Sequence, residues 1–239
     1  MNVLIPMAGK GSRFAEAGYV LPKPLIDVDG RPMIEAVIEN LGSNLNYIFV
    51  VQSDHVKRFG LDEVLKKKSP NCKIVEINEV TEGAACTVLL AQKEIDNDEP
   101  LLIANSDQYL EWNRLTPDAS VDGKIVTFKS KDPNCSYIKE RAGVVIECRE
   151  KEKISDIATV GLYYWSKGSD FVKYAKQMIK KDIRVSGEFY VCPVYNEAIA
   201  DGKTIKSFPV KYVWQIGTPE DLRRFIRLRP QNDSWQDYP

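Results

Sequence analysis

One histidine, His55, occurs among the 239 residues. Any Ser-His-Asp or Cys-His mechanism would have to run through it, yet it lies in "QSDHVKRF", which reads as the opening of a surface helix. Cysteine is also sparse. Cys72, Cys86, Cys135, Cys148 and Cys192 are scattered, odd in number and without a Cys-x-x-Cys pair, which argues against a disulfide framework and a zinc site. A reduced, cytoplasmic protein is expected. No apolar run nears the roughly 20 residues of a membrane span, and the opening "VLIPM" is too short for a secretory signal. An excess of one charge is missing too: 33 Lys and Arg against 34 Asp and Glu leave −1, so no global field recruits nucleic acid or an anionic membrane. What remains is ordinary globular composition with enough chain for one buried core.

Strand-like and helix-like stretches alternate through the first half. "VLIPM" reads as a strand and "PMIEAVIENL" as a helix with Pro32 at its start. "YIFVVQ" is a buried strand, and "HVKRFGLDEVLKKK" an amphipathic helix broken at Gly60. "KIVEIN", "TEGAACTVLLAQKEI" and "PLLIAN" continue as strand, helix and strand. This order predicts an α/β fold, a mostly parallel sheet with helices on both faces. Beyond Asp107 the strands "GKIVTFKS", "CSYIKE", "GVVIECRE" and "IATVGLYYW" lack intervening helices, which predicts a mixed or antiparallel part. Helices return at "GSDFVKYAKQMIKK" and "EFYVCPVYNEAIADG", followed by a strand at "IKSFPV". A last helix, "GTPEDLRRFIRL", has Thr218 as its N-cap. Residues 1–228 are expected to form one domain and 229–239 a loose tail.

In open α/β sheets ligands sit beyond the carboxyl ends of the strands. The Gly9–Arg13 loop, Gln52, the Thr81–Gly83 turn and Asp107 all fall at such ends. Glycines let backbone N–H groups approach an anion, and Arg13 and the proline-framed Lys23 bring positive charge. Two phosphate loops are excluded. A Walker A loop fails because Lys10 precedes Gly11, and a dinucleotide G-x-G-x-x-G fails because its last position is Phe14. Read from residue type alone, Asp107 fits a helix cap as well as a metal ligand, Lys151 a solvated charge run, and Glu188 a first-turn acid.

"AGKGSR" followed by "PKPLIDVDGRPMI" resembles the opening of the sugar-phosphate nucleotidyltransferases, or nucleotide-sugar pyrophosphorylases. "TEGAA", "IANSD", "REK", "SGEFYVCPVYNEAI" and "IGTPEDL" match later motifs in the same order, through about residue 226. The resemblance implies a Rossmann-like fold of the nucleotide-diphospho-sugar transferase type. It implies attack by a phosphorylated acceptor on the α-phosphorus of a nucleoside triphosphate, with release of pyrophosphate. By that likeness the loop Met7, Ala8, Gly9, Lys10, Gly11 and Ser12 cradles the triphosphate. Arg13 holds the part that leaves, and Lys23 neutralises the α-phosphate. Asp107, beside Ser106, is implied to bind Mg²⁺. Glu82 and Gly83 would read and clear the base, with Gln52 adding an edge contact. Glu150, Lys151 and Glu188 are implied to hold the acceptor, with Lys139 and Tyr190 lining its pocket.

One departure stands out. Many relatives carry a second metal-binding aspartate just before the final Gly-Thr, where this chain has Gln215 and Ile216; water, the substrate phosphate or Asp221 is left to take its part. "IPMAGKGSRF" and "NSDQ" look closest to capsule-type cytidylyltransferases for phosphoglutamine or phosphocholine, which favours CTP and surface-polysaccharide precursors. A glycosyltransferase with a nucleotide-sugar donor and a non-catalytic nucleotide sensor are the alternatives. The expected partners are the nucleotide and its acceptor, not nucleic acid or membrane, and self-association is left open.

Overall fold

The computed structural model describes residues 1–228; the expected loose tail lies outside the described residues. The first half runs β1 (Asn2–Pro6), α1 (Ser12–Glu16), α2 (Met33–Leu41), β2 (Asn46–Gln52), α3 (Ser53–Phe59), α4 (Leu61–Lys68), β3 (Lys73–Ile77), α5 (Ala84–Leu90), α6 (Gln92–Ile95) and β4 (Leu101–Ala104). Then come β5 (Gln108–Glu111), β6 (Gly123–Lys129), β7 (Ser136–Arg141), β8 (Val144–Glu150) and β9 (Ile157–Trp165). The chain closes with α7 (Gly168–Lys180), α8 (Val194–Ala200), β10 (Ile205–Pro209), β11 (Tyr212–Gln215) and α9 (Pro219–Leu228).

The large sheet has the order β3-β2-β1-β4-β9-β6-β10-β8-β7. β1, β2, β3 and β4 run parallel, whereas β9 pairs antiparallel with both β4 and β6. The parallel half is buried on both faces, as its apolar runs predict. Val3, Leu4 and Ile5 of β1 are fully buried. Successive side chains alternate: Leu4 belongs to one core with Ala85, Val88 and Phe171, while Val3 and Ile5 belong to the other with Ile34, Val37 and Leu65. Each such burial contributes about 1.5–3 kcal/mol, and this places β1 mid-sheet. Tyr163, Tyr164 and Trp165 are buried as well, and the Trp165 ring stacks on Tyr195 at 4.2 Å.

The chain leaves β1 toward β2 on one side and returns to β4 on the other, so the loops after β1 and β4 part at the topological switch point. A separate core of Phe14, Ile26, Val28, Met33, Ile216, Leu222 and Phe225 ties the glycine loop and the Lys23 turn to β11 and α9. Gly60 breaks the third and fourth helices in a left-handed conformation, φ +64°.

Two local expectations differ from the structure, and one element lies outside them. Helix α5 begins at Ala84, because residues 81–83 form a turn. The segment "EFYVC" is not helical: α8 begins at Val194, and Phe189 instead bonds Glu82 and Ala85 through its backbone. The small β5–β11 sheet is a finding of the structure. Its four-residue strands are too short for a period-2 pattern to stand out.

Candidate active site

The loop after β1 is anchored at several points. Met7 donates its N–H to the Val50 carbonyl at 2.9 Å, extending the sheet by one residue. The Gln52 amide then donates to the Ala8 carbonyl at 2.7 Å. Gln52 therefore holds the loop from the neighbouring strand end, and its Nε2 is engaged there. Met7 and Ala8 are buried, whereas Gly9, Lys10, Ser12 and Arg13 face outward. Gly11 is left-handed, φ +61°, and a Cβ there would stand 3.3 Å from the Lys23 Cβ. Glycine thus serves both the turn and the close passage of the lysine. Phe14, buried one residue beyond Arg13, pins the segment so that Arg13 lines the cleft.

Lys23 opens a short 3₁₀ turn, Lys23–Leu25, after Pro22. Its Nζ lies 2.7 Å from Asp107 Oδ2, with each side chain about one quarter exposed (24% and 25%). Asp107 follows β4, beside the buried Ser106. The Asp107 carbonyl accepts from the Ile216 N–H at 2.9 Å. A Cβ on Gly217 would fall 2.5 Å from Asp107 Oδ2. The glycine of the closing Gly-Thr pair is therefore required by the carboxylate. Thr218 caps α9 as expected: its Oγ1 accepts the Asp221 N–H at 3.1 Å and donates to the Asp221 carboxylate at 2.6 Å.

Arg13, Asp107, Glu150, Lys151, Tyr190 and Asp221 are among the residues that line a cavity of about 680 Å³; residues 7–12, Gln52, Ser106 and Lys23 are not, and Lys23 adjoins the cavity through its bond to Asp107. Gln215 lines it too, with a neutral amide at the position where the resemblance implied a carboxylate. Glu150 is 9% exposed, and its carboxylate accepts a hydrogen bond from Ser136 Oγ. Burial pushes this carboxyl above its usual range, opposed by the Ser136 bond and the Lys151 charge. Lys151 takes a left-handed backbone, φ +53°, unusual for a lysine. Its N–H bonds the Cys135 carbonyl at 3.1 Å, and its Nζ reaches the Tyr190 hydroxyl at 2.5 Å. That bond raises the lysine above its ordinary value. The run Glu147–Lys153 is thus not uniformly solvated: Glu150 and Lys151 turn into the cleft.

Other expected residues stand elsewhere. Lys139 is exposed and is not among the cavity-lining residues. Ser136 lines the cavity from the same strand, and strand alternation puts Lys139 on the opposite face. The Glu82 carboxylate points to Arg184 Nη2 at 3.0 Å rather than into the cavity. The room at Gly83 is filled by protein: a Cβ there would lie 2.5 Å from the Phe189 carbonyl oxygen. Glu188 is exposed in a tight hairpin closed by two backbone bonds with Val185, not in a helix first turn. Its charge still raises the carboxyl of Glu150 and the hydroxyl of Tyr190. His55 lies in α3, remote in sequence from the cavity lining, and burial lowers its pKa.

Sequence reasoning also passed over Gln108, Gly161 and Ser136, all of which line the cavity. Gly161 carried a signal, a glycine interrupting a strand. Among the described residues no cluster of three His, Cys, Asp or Glu side chains could hold a metal ion, and no helix is long and apolar enough to cross a membrane.

Comparison with known proteins adds to this geometry. The Vibrio cholerae RC9 nucleoside-diphosphate-sugar pyrophosphorylase structure is similar at a TM-score of 0.82 and 28% identity, covering 94% of this chain and 99% of that one. The Thermotoga maritima inositol-1-phosphate CTP transferase shares the fold, with a TM-score of 0.71 at 14% identity over 95% of this chain and 97% of that one. The Methanococcus aeolicus bifunctional protein GlmU is 25% identical over 230 residues, 93% of this chain and 53% of that protein. The chain spans about half the length of the curated relatives it matches. The profile of the MobA-like NTP transferase domain matches residues 3–130, more than half of the sequence. The chain belongs to the MobA-like NTP transferase domain family.

Proposed function

We propose that the protein transfers a nucleoside monophosphate from a nucleoside triphosphate to a phosphorylated small molecule, releasing pyrophosphate. The observation that carries this reading is the meeting of Lys23 at 2.7 Å with Asp107, which lines the cavity together with Arg13. Two anionic reactants repel, so such a site works by fixed positive charge and in-line alignment. An oxygen of the acceptor phosphate attacks the α-phosphorus, the bond to the β-phosphate oxygen breaks, and pyrophosphate leaves. Lys23 neutralises the charge that builds at the α-phosphate, exchanging its carboxylate partner for a phosphate oxygen. Arg13 holds the departing pyrophosphate. Lys151 and Glu150, which line the same cavity, receive the acceptor.

Mg²⁺ fits the donor set. The ion is commonly held by one or two carboxylates plus substrate phosphates and water, and Asp107 offers one such carboxylate in a space that Gly217 keeps clear. Asp107 would hold it, and Asp221 lines the same cavity where Gln215 is neutral. When bound, the ion supplies further neutralisation of phosphate charge.

CTP is the favoured nucleotide on the likeness of "IPMAGKGSRF" and "NSDQ" to capsule-type cytidylyltransferases, with surface-polysaccharide precursors as products. A sugar 1-phosphate acceptor is supported by the name of the Vibrio cholerae neighbour. The test is a matrix of CTP, UTP, dTTP, GTP and ATP against phosphorylated acceptors with Mg²⁺, scored by phosphate after pyrophosphatase treatment. Acceptor-dependent pyrophosphate release is expected with at least one pair. Its absence from every pair would reject the reading.

A further inference from the structure

Gln108 follows Asp107 directly and is 5% exposed at the start of β5, where it pairs in register with Gln215. It lines the cavity, yet its Nε2 is buried and meets no hydrogen-bond partner among the described residues. An amide donor buried without a partner carries a desolvation cost that an apolar side chain of similar shape would avoid. The fold also makes room around this amide. A Cβ on Gly161 would stand 3.0 Å from Gln108 Oε1 and 2.2 Å from Asn105 Nδ2.

The neighbouring polar groups are already paired. The Thr159 and Tyr163 hydroxyls bond each other at 3.0 Å, and Ser136 donates to Glu150. The Lys151 ammonium lies 4.6 Å from the Tyr190 ring centroid. A residue of the cavity lining next to Asp107 therefore carries an unsatisfied N–H donor, while an ammonium already sits at the hydroxyl end of Tyr190.

Building on the nucleotidyl-transfer reading, we propose that Gln108 is a specificity-determining residue whose Nε2 donates to a hydroxyl or carbonyl oxygen on the organic part of the acceptor. A trimethylammonium group gives that nitrogen nothing to bond. It also meets the like charge of Lys151, held at the Tyr190 hydroxyl 4.6 Å from the ring centroid, which opposes cation–π capture on that ring. Sites built to hydrogen-bond a substrate group reject analogues that lack it. Acceptors rich in hydroxyls or carbonyls are thereby favoured over phosphocholine.

The experiment uses the whole chain with Mg²⁺ and the nucleotide that supports turnover. It compares glucose 1-phosphate, N-acetylglucosamine 1-phosphate and phosphorylated glutamine with phosphocholine. The wild type is expected to prefer a member of the first group. Gln108→Met should lower kcat/KM for that acceptor roughly tenfold, the loss of one neutral hydrogen bond, mainly through the acceptor's KM and with the nucleotide's KM unchanged. Its melting temperature should equal or exceed that of the wild type, because an orphaned donor has been removed. Preference for phosphocholine, an unchanged acceptor kcat/KM in the variant, or a lowered melting temperature would each overturn the role while leaving nucleotidyl transfer intact. No pyrophosphate release by the wild type with any acceptor would reject the underlying reading and this inference with it.

Discussion

Replacing Lys23 with alanine separates a catalytic cation from a structural one. In the free protein its ammonium sits 2.7 Å from the Asp107 carboxylate, each side chain about one quarter exposed. Pairs in such settings stabilise by about 0–1 kcal/mol. For a chain of this size 1 kcal/mol moves Tm by about 2–4 °C, so Lys23→Ala should melt within about 4 °C of the wild type. The effect on chemistry should be far larger. A preorganised donor aimed at developing charge is worth about 10²–10³ in kcat, and in the proposed transfer phosphate charge at Lys23 would build mainly as the acceptor attacks. The variant should therefore lose about two to three orders of magnitude in kcat, with the KM for nucleotide changed only a few-fold. Stopped assays of pyrophosphate release, paired with calorimetric melting, measure both quantities. An unchanged kcat would refute the role. A rise confined to KM would reduce Lys23 to a ground-state binding residue, and a fall in Tm beyond about 10 °C would make it a structural one.

Further outcomes follow from the same geometry. Gly217→Ala places a Cβ 2.5 Å from Asp107 Oδ2; the carboxylate must shift, and kcat should fall at least roughly tenfold, in line with the cost of small misplacements, while Tm changes little. Near-normal turnover in that variant would show that the position of Asp107 is not critical. Gly83→Ala collides with the Phe189 backbone and strains a φ of +126°, so chemical denaturation should report a loss of about 2–4 kcal/mol; a loss below about 0.5 kcal/mol would contradict the packing described here. Glu150 supplies a pH test. Its folded pKa is raised by burial, so between the unfolded and folded values the native state holds more protons, and this group's contribution to stability falls as pH rises through that window. Glu150→Gln should accordingly melt higher than the wild type at pH 8, with the gap closing as pH falls toward 4. A gap that widened on acidification would reverse the assignment.

Much of the site was legible because its signals are local. Glycine and proline restrict the backbone wherever they stand, so "AGKGSR" and "LPKP" announce a turn and a held lysine without reference to the rest of the chain. Apolar runs place β1 and β4 in a parallel sheet and put Gly9–Arg13 and Asp107 at its ends. Thr218 capping α9 and Gly60 breaking α3 from α4 are equally local matters.

The tertiary structure decided what depends on partners distant in the sequence. Residue type offered no means of knowing that Arg184 takes the Glu82 carboxylate, that Phe189 fills the space at Gly83, or that strand alternation turns Lys139 away from Ser136. The same holds for the glycines that Asp107 and Asn105 press against, at positions 217 and 161. Such contacts leave no periodic trace in a chain, since nothing in one segment records which other segment will lie against it. The sequence thus determined which chemistry-bearing groups stand at strand ends, and packing alone determined which of them reach the cavity and which are left, like Gln108, with a hydrogen to give.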